Sequence, residues 1–122
     1  MPLKCMWLLT NVYYGNILLS MDILPEPIAF EWDKGNIPKN LHKHDVAPQE
    51  AEEMFSNSPL VLTYDPIHSG SDEARFWAFG ITKAKRRLFV AFTIRGNKVR
   101  VISIRDMTKL EEDVYEDFEE NS

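Results

Sequence analysis

Arg87-Leu88-Phe89-Val90-Ala91-Phe92-Thr93-Ile94-Arg95-Gly96-Asn97-Lys98-Val99-Arg100-Val101-Ile102-Ser103-Ile104-Arg105 is the stretch whose reading decides the fold. Its β-branched and aromatic residues alternate with polar ones on both sides of Gly96-Asn97. That pattern predicts strands over 87–95 and 98–105 joined by a two-residue turn, with Gly at the first central position. The turn sets a register. Arg95 lies opposite Lys98, Thr93 opposite Arg100, Ala91 opposite Ile102 and Phe89 opposite Ile104. The other face carries Leu88, Val90, Phe92 and Ile94 against Val99, Val101, Ser103 and Arg105, and is expected to meet the main core. In this register Arg100 and Arg105 point to opposite faces unless a bulge intervenes.

The same region concentrates charge. Ala74 to Arg105 holds nine basic residues and no carboxylate, whereas residues 1–73 hold four Lys and eleven Asp/Glu, and residues 106–122 one Lys and eight Asp/Glu. The formal net charge is −5. A polyanion would be attracted to one segment and repelled by both ends.

Outward from the hairpin, Arg75 to Ile81 predicts a third strand, connected through Thr82 to Arg86. Leu60-Val61-Leu62-Thr63-Tyr64 predicts a fourth, and residues 65–72 form a loop rich in Pro, Ser, Gly and Asp. Thr108-Lys109-Leu110-Glu111 is a capping box, and Leu110, Val114 and Phe118 continue it as the buried stripe of a C-terminal helix. Upstream, Pro38 and Pro48 open two short helices, the first with Ile37, Leu41 and His44 on one face, the second with Ala51, Met54 and Phe55. Ile28 to Trp32 reads as a short first strand. The fold class is therefore α+β, an antiparallel sheet of about four to five strands with two short N-terminal helices and a C-terminal helix.

A chain of 122 residues is one domain, here 28–120. Residues 1–27 read as an extension. Met6 to Met21 is largely apolar after Lys4, but Asn11, Gly15 and Asn16 interrupt it, no small-residue cleavage site follows, and it falls short of a membrane span. A start at Met21 is preferred over an extra packed element, and both over a signal peptide. Cys5, the only cysteine, allows no internal disulfide and no zinc-ribbon spacing, and fits a reducing, cytoplasmic compartment.

Individual polar residues admit ordinary readings. His42 and His44 would diverge on a helix, and His68 is distant, so neither a metal site nor a cofactor is expected. His44 on an apolar stripe reads as a core histidine before a catalytic one, and Lys43 as a surface lysine. Asp65-Pro66-Ile67-His68-Ser69 reads as a turn, Lys83 to Arg87 as a solvated tip, and Arg75 as a surface partner of Glu73. No phosphate-cradling Gly loop or nucleophile elbow is present. A plain nucleic-acid-binding β domain lacks its usual aromatic motif here.

The ordered set is more specific than its parts. It runs Phe30-Glu31-Trp32-Asp33; Asn40-Leu41-His42-Lys43-His44-Asp45-Val46; Glu50-Ala51-Glu52-Glu53-Met54-Phe55. It continues with Asp65-Pro66-Ile67-His68-Ser69, Glu73-Ala74-Arg75-Phe76 and Gly80, then Arg100 to Thr108, Glu111 and Tyr115. This set, from about Ala29 to Glu116, resembles the BrnT family of toxins from type II toxin–antitoxin systems. The resemblance implies a RelE-like fold and a metal-independent ribonuclease that blocks translation. It also implies a BrnA-type ribbon-helix-helix antitoxin, with operator DNA met only through the complex. On the family's motif positions, Lys43, His44, Arg75, Arg105 and Tyr115 are the catalytic candidates. Arg100 and His68, with Lys85 and Arg87 from the basic tip, are the RNA-binding ones. Metal-free RNA cleavage needs a base for the 2′-OH, cations for the phosphorane and a donor for the leaving oxygen. Arginine suits the second role. Two positions depart from the family pattern. Asp45 replaces a glycine, and Asp106 replaces a frequently basic residue, setting a carboxylate beside Arg105 that is expected to weaken its grip on phosphate. The alternative reading is a degenerate toxin that still binds its antitoxin and acts in transcriptional control.

Overall fold

The computed structural model describes residues 17–18, 23–32, 34, 44–65, 67–70 and 73–120. Among these residues, six strands and two helices follow one another: β1 (Ile17–Leu18), β2 (Phe30–Glu31), α1 (Pro48–Ser56), β3 (Val61–Tyr64), β4 (Arg75–Ile81), β5 (Arg87–Arg95), β6 (Lys98–Asp106) and α2 (Lys109–Glu120). The sheet order is β1-β3-β4-β5-β6-β2. It is mixed rather than antiparallel, because β2 runs parallel to β6, pairing Phe30 with Val99 and Glu31 with Arg100. The chain crosses from β2 through α1 before starting the antiparallel run β3 to β6, and a parallel edge is what such a crossover permits. Ile17 and Leu18 pair with Thr63 and Leu62, so part of the predicted extension belongs to the sheet edge. The first of the two predicted N-terminal helices, and the start-site expectation at Met21, lie outside the described residues apart from His44. The second predicted helix is α1.

The two helices cover opposite faces. On the α1 side, Val46, Ala51, Met54 and Phe55 pack against Leu62, Ala78, Leu88, Val90, Phe92, Val99, Val101 and Ile104. Phe30, Phe55, Phe92 and Phe76 form a chain of ring contacts through this layer, at 5.3–5.5 Å between centroids. Pro48 starts α1, and Glu50 turns back to accept the Ala47 N–H at 3.1 Å. Gly80 of β4 lies beneath α1, where a Cβ would come 2.4 Å from Met54 Cγ. On the other face, Val114 and Tyr115 of α2 pack on Val61, Phe79, Ile81, Phe89 and Met107. Thr108 and Glu111 cap α2 reciprocally, at 2.8 and 3.2 Å.

The β5–β6 turn has positive φ at both Gly96 (58°) and Asn97 (63°), the pairing of a type I′ hairpin. From it, Arg95 pairs with Lys98 and Thr93 with Arg100, as the sequence predicts. Beyond Phe92 the register shifts: Val101 pairs with Phe92, but Ser103 pairs with Ala91 and Arg105 with Phe89. Ile102 is the extra residue of a β-bulge. The bulge has an energetic reason. In the uninterrupted register Ser103 and Arg105 would enter the α1-side core, and Ile104 would leave it. With the bulge, Ile104 is fully buried there and the two polar residues turn to the α2 side. Arg100 and Arg105 consequently share one face.

Candidate functional site

Where α2 leaves the sheet uncovered, a groove of about 630 Å³ opens beside its first turn. β4, β5 and β6 supply its floor through Trp77, Phe79, Phe89, Ala91, Ile102 and Ser103, and Arg75 and Arg105 also line it. Asp65 and His68 come from the loop after β3, and Thr108, Leu110 and Glu111 from the start of α2.

The loop is built around one buried carboxylate. Asp65 is 3% exposed, and its Oδ1 accepts the backbone N–H groups of Ile67 and His68 at 3.1 and 3.2 Å. Its Oδ2 lies 2.8 Å from His68 Nδ1. An ionised carboxylate only accepts, so Nδ1 carries the proton and Nε2 is left to act as acceptor. Ser69 then ties the loop to β4, donating its hydroxyl to the Asp65 carbonyl at 2.6 Å and accepting the Arg75 N–H at 2.8 Å. His68 and Arg75 are thereby held on adjoining walls of the groove. Among the described residues the Arg75 guanidinium has no hydrogen bond or ion pair. Glu73 next to it is committed to Arg95 at 2.7 Å, and that bond holds the Glu73 carboxyl below its ordinary range.

Arg105 is fixed differently. Its guanidinium carbon sits 4.1 Å from the Phe89 ring centroid. Its two terminal nitrogens donate to Glu111 Oε1 and Oε2 at 2.8 and 3.1 Å, and Nη1 also reaches the Asp106 carbonyl at 3.1 Å. The carboxylate that neutralises Arg105 is therefore Glu111, not Asp106. Asp106 follows the bulge to the other side of the sheet, where it takes a two-pronged bond from Arg86 at 2.7 and 3.0 Å. Arg86 also donates to Glu50 at 3.0 Å and to the carbonyls of Asp45 (2.8 Å) and His44 (3.2 Å). Hydrogen bonding by Arg86 lowers the Asp106 carboxyl, and the Asp106 and Glu50 carboxylates raise Arg86. The left-handed backbone that a glycine would favour at position 45 is present, with φ 54° at Asp45.

The sequence-derived candidates divide accordingly. The structure brings together His68, Arg75 and Arg105. His44 is placed with the Arg86–Asp106 cluster instead, and Lys43 lies outside the described residues. Tyr115 does not line the groove. It is 2% exposed, its hydroxyl donates to the Pro59 carbonyl, and burial pushes its phenol up, so it fastens α2 to the α1–β3 connection. Arg100 pairs with Glu31 at 3.2 Å outside the groove lining. Lys85 and Arg87 line a separate cleft of about 370 Å³, where Glu116 and Glu119 hold Arg87 at 3.2 and 2.6 Å. Asp65 and Glu111 are the groove residues that role-by-role reading of the sequence missed. Both stand in the ordered motif set, but there Glu111 had a role only as a helix cap and Asp65 only as a turn former. Among the described residues no cluster of His, Cys, Asp and Glu is arranged to hold a metal ion, and no helix is long and apolar enough to cross a membrane.

A groove with a carboxylate-oriented imidazole, an unengaged guanidinium and an aromatic floor defines a small α+β domain suited to a ligand that is anionic at one end and apolar at the other. Residues 32–111 match the family described as "Ribonuclease toxin, BrnT, of type II toxin-antitoxin system", and the chain belongs to that family. It is similar to the 1.1 Å crystal structure of the Brucella abortus ribonuclease toxin, BrnT, at 22% sequence identity and a TM-score of 0.49, over 67% of this chain and 99% of that one. No curated protein matches it.

Proposed function

We propose that this chain is an endoribonuclease toxin that cleaves RNA without a metal, in the groove holding His68 and Arg75. The observation that carries the reading is the Asp65–His68–Ser69–Arg75 assembly, in which an acceptor nitrogen and an uncommitted guanidinium line the same groove on adjoining walls. His68 Nε2 takes the proton of a 2′-OH, whose oxygen bonds to the adjacent phosphorus. The bond from phosphorus to the 5′-oxygen breaks. Arg75 meets the charge gathering on the phosphorane oxygens, and the departing 5′-oxygen takes a proton from water. The products are a 2′,3′-cyclic phosphate and a 5′-hydroxyl, and the imidazolium returns its proton to solvent. Asp65 fixes the tautomer and stabilises the imidazolium.

The family resemblance supports the finer parts of the proposal. These are a RelE-like topology, mRNA as substrate with translation blocked in the cytoplasm, and neutralisation by a BrnA-type antitoxin that brings the pair to operator DNA. Induced expression of the full chain in bacteria should arrest growth, and the purified protein should cut RNA in EDTA to cyclic-phosphate ends. Growth unaffected by well-folded protein, or cutting that EDTA abolishes, would overturn it.

A second reading is favoured by one observation: the Glu111 clasp occupies both terminal nitrogens of Arg105. In it the chain no longer cleaves RNA and acts with its antitoxin in transcriptional control. A co-purifying partner, with no RNA cleavage after its removal, would select it.

A further inference from the structure

The groove is larger and greasier than a phosphate site requires. A phosphate needs donors, yet the side chains of Phe79, Phe89, Ala91, Ile102 and Leu110 have none to offer into a space of about 630 Å³. Arg105 stands over this floor, and its donors are directed at Glu111 and at the Asp106 carbonyl rather than left for a ligand. It is held from two sides: the carboxylate takes both terminal nitrogens, and the central carbon lies over the Phe89 ring at 4.1 Å. Its side chain is still 33% exposed and lines the groove. A guanidinium held by a carboxylate and a ring while a third of its side chain stays exposed in the groove can serve as a stacking plate, and a nucleobase is the ligand component that stacks on such a plate.

We infer that the apolar end of the groove is a nucleobase subsite, with one unpaired base of single-stranded RNA stacked on the Arg105 guanidinium and the adjoining backbone phosphate meeting Arg75. The inference rests on the ribonuclease reading for its ligand class, and it changes the part played by Arg105, from gripping phosphate to holding a base. Glu111 becomes a positioning residue that keeps the plate over Phe89. The clasp that argued for a spent active site is then part of how the substrate is held.

The test uses the full chain and a 2′-deoxy dinucleotide, which cannot be cleaved through a 2′-oxygen. Its affinity is compared with that of the same molecule carrying an abasic 5′ residue. The wild-type chain should bind the intact dinucleotide roughly tenfold more tightly, the scale of one base stacked on a side chain. Arg105→Lys keeps the charge and loses the plane, so it should bind both at the abasic affinity. Arg75→Ala should weaken both by the same factor. Glu111→Gln, which keeps a neutral acceptor for Arg105, should retain part of the preference and serves as a second variant if Arg105→Lys fails to fold. Equal wild-type affinity for intact and abasic molecules would overturn the subsite, as would a full preference surviving in Arg105→Lys. The two readings separate cleanly. Base preference without cleavage of any RNA removes the ribonuclease reading alone, and cleavage without base preference removes the subsite alone.

Discussion

Arg75 and His68 carry the proposed chemistry on different terms. Arg75 has no ion partner among the described residues, so removing its side chain leaves no buried charge stranded. Arg75→Ala should therefore cut RNA cleavage by at least about 100-fold, the scale of losing a charge-stabilising donor in a transition state, with the thermal midpoint unchanged. A comparison of cleavage rate and melting curve checks both halves. Asp65 behaves differently, because it is nearly fully buried and serves two backbone N–H groups as well as His68. Asp65→Ala should lower stability by about 1–3 kcal/mol, through unsatisfied donors, and reduce cleavage as well. Denaturant unfolding alongside the activity assay reads the two effects. The sequence marked Arg75 and His68 as candidates through their motif positions. It could not mark Asp65 as the residue orienting the imidazole, because the 2.8 Å contact depends on how the turn closes, and many turns begin with an aspartate that bonds only backbone.

At the scale of the elements, the four strands β3 to β6 were legible almost to the residue, and β1, the parallel pairing of β2 and the bulge were not. β4 and β5 match the predicted 75–81 and 87–95, and β6 extends one residue beyond 98–105. Alternation supplies that information, since a half-buried strand must repeat every second residue. The signal for the bulge was in the same alternation. Val99 and Val101 are core residues at odd positions, whereas Ile104 is apolar at an even one, with Arg105 following. A strand that changes phase midway must slip by one residue or bury a charge. Adjacency in sequence set the Asp106 carboxylate beside Arg105, whereas its side chain turns to the other face and meets Arg86. Asp106→Ala should hence leave cleavage within about twofold and lower stability by about 1 kcal/mol, a small figure because the pair is partly solvated. The pH dependence has a definite sign. The Asp106 carboxyl lies below its unfolded value, so its contribution is full above that value and is lost as pH falls through the folded one. Acid unfolding should separate wild type from Asp106→Ala above about pH 4, the ordinary aspartate value, with the curves converging as pH falls below it. Gly80 tests the contact between α1 and the sheet. Met54 is fully buried and cannot swing away from a Cβ arriving at 2.4 Å. Gly80→Ala should cost about 1–3 kcal/mol by overpacking, visible as a lower denaturation midpoint.

For the whole molecule, the nine basic residues between Ala74 and Arg105 suggested a broad surface for a polyanion. Sequence shows where charges fall along the chain, not which of them meet across it. Folding pairs Arg86 with Glu50 and Asp106, Arg87 with Glu116 and Glu119, Arg95 with Glu73, Arg100 with Glu31 and Arg105 with Glu111. Carboxylates outside the basic segment thus pair with five of its nine cations. This has a measurable consequence. Single-stranded nucleic acid releases about 0.7 counterions per phosphate neutralised. If all nine cations met phosphates, the logarithm of the binding constant would fall with the logarithm of salt concentration at a slope of about −6. With Arg75 as the principal phosphate contact in the groove, the slope should lie near −1, and most of the affinity should persist as salt rises. Titrating a short 2′-deoxy oligonucleotide from 50 to 300 mM salt measures it directly. A slope steeper than about −3 would mean that ion pairs such as Arg87–Glu119 open to receive the backbone, and that recognition spreads well beyond the groove.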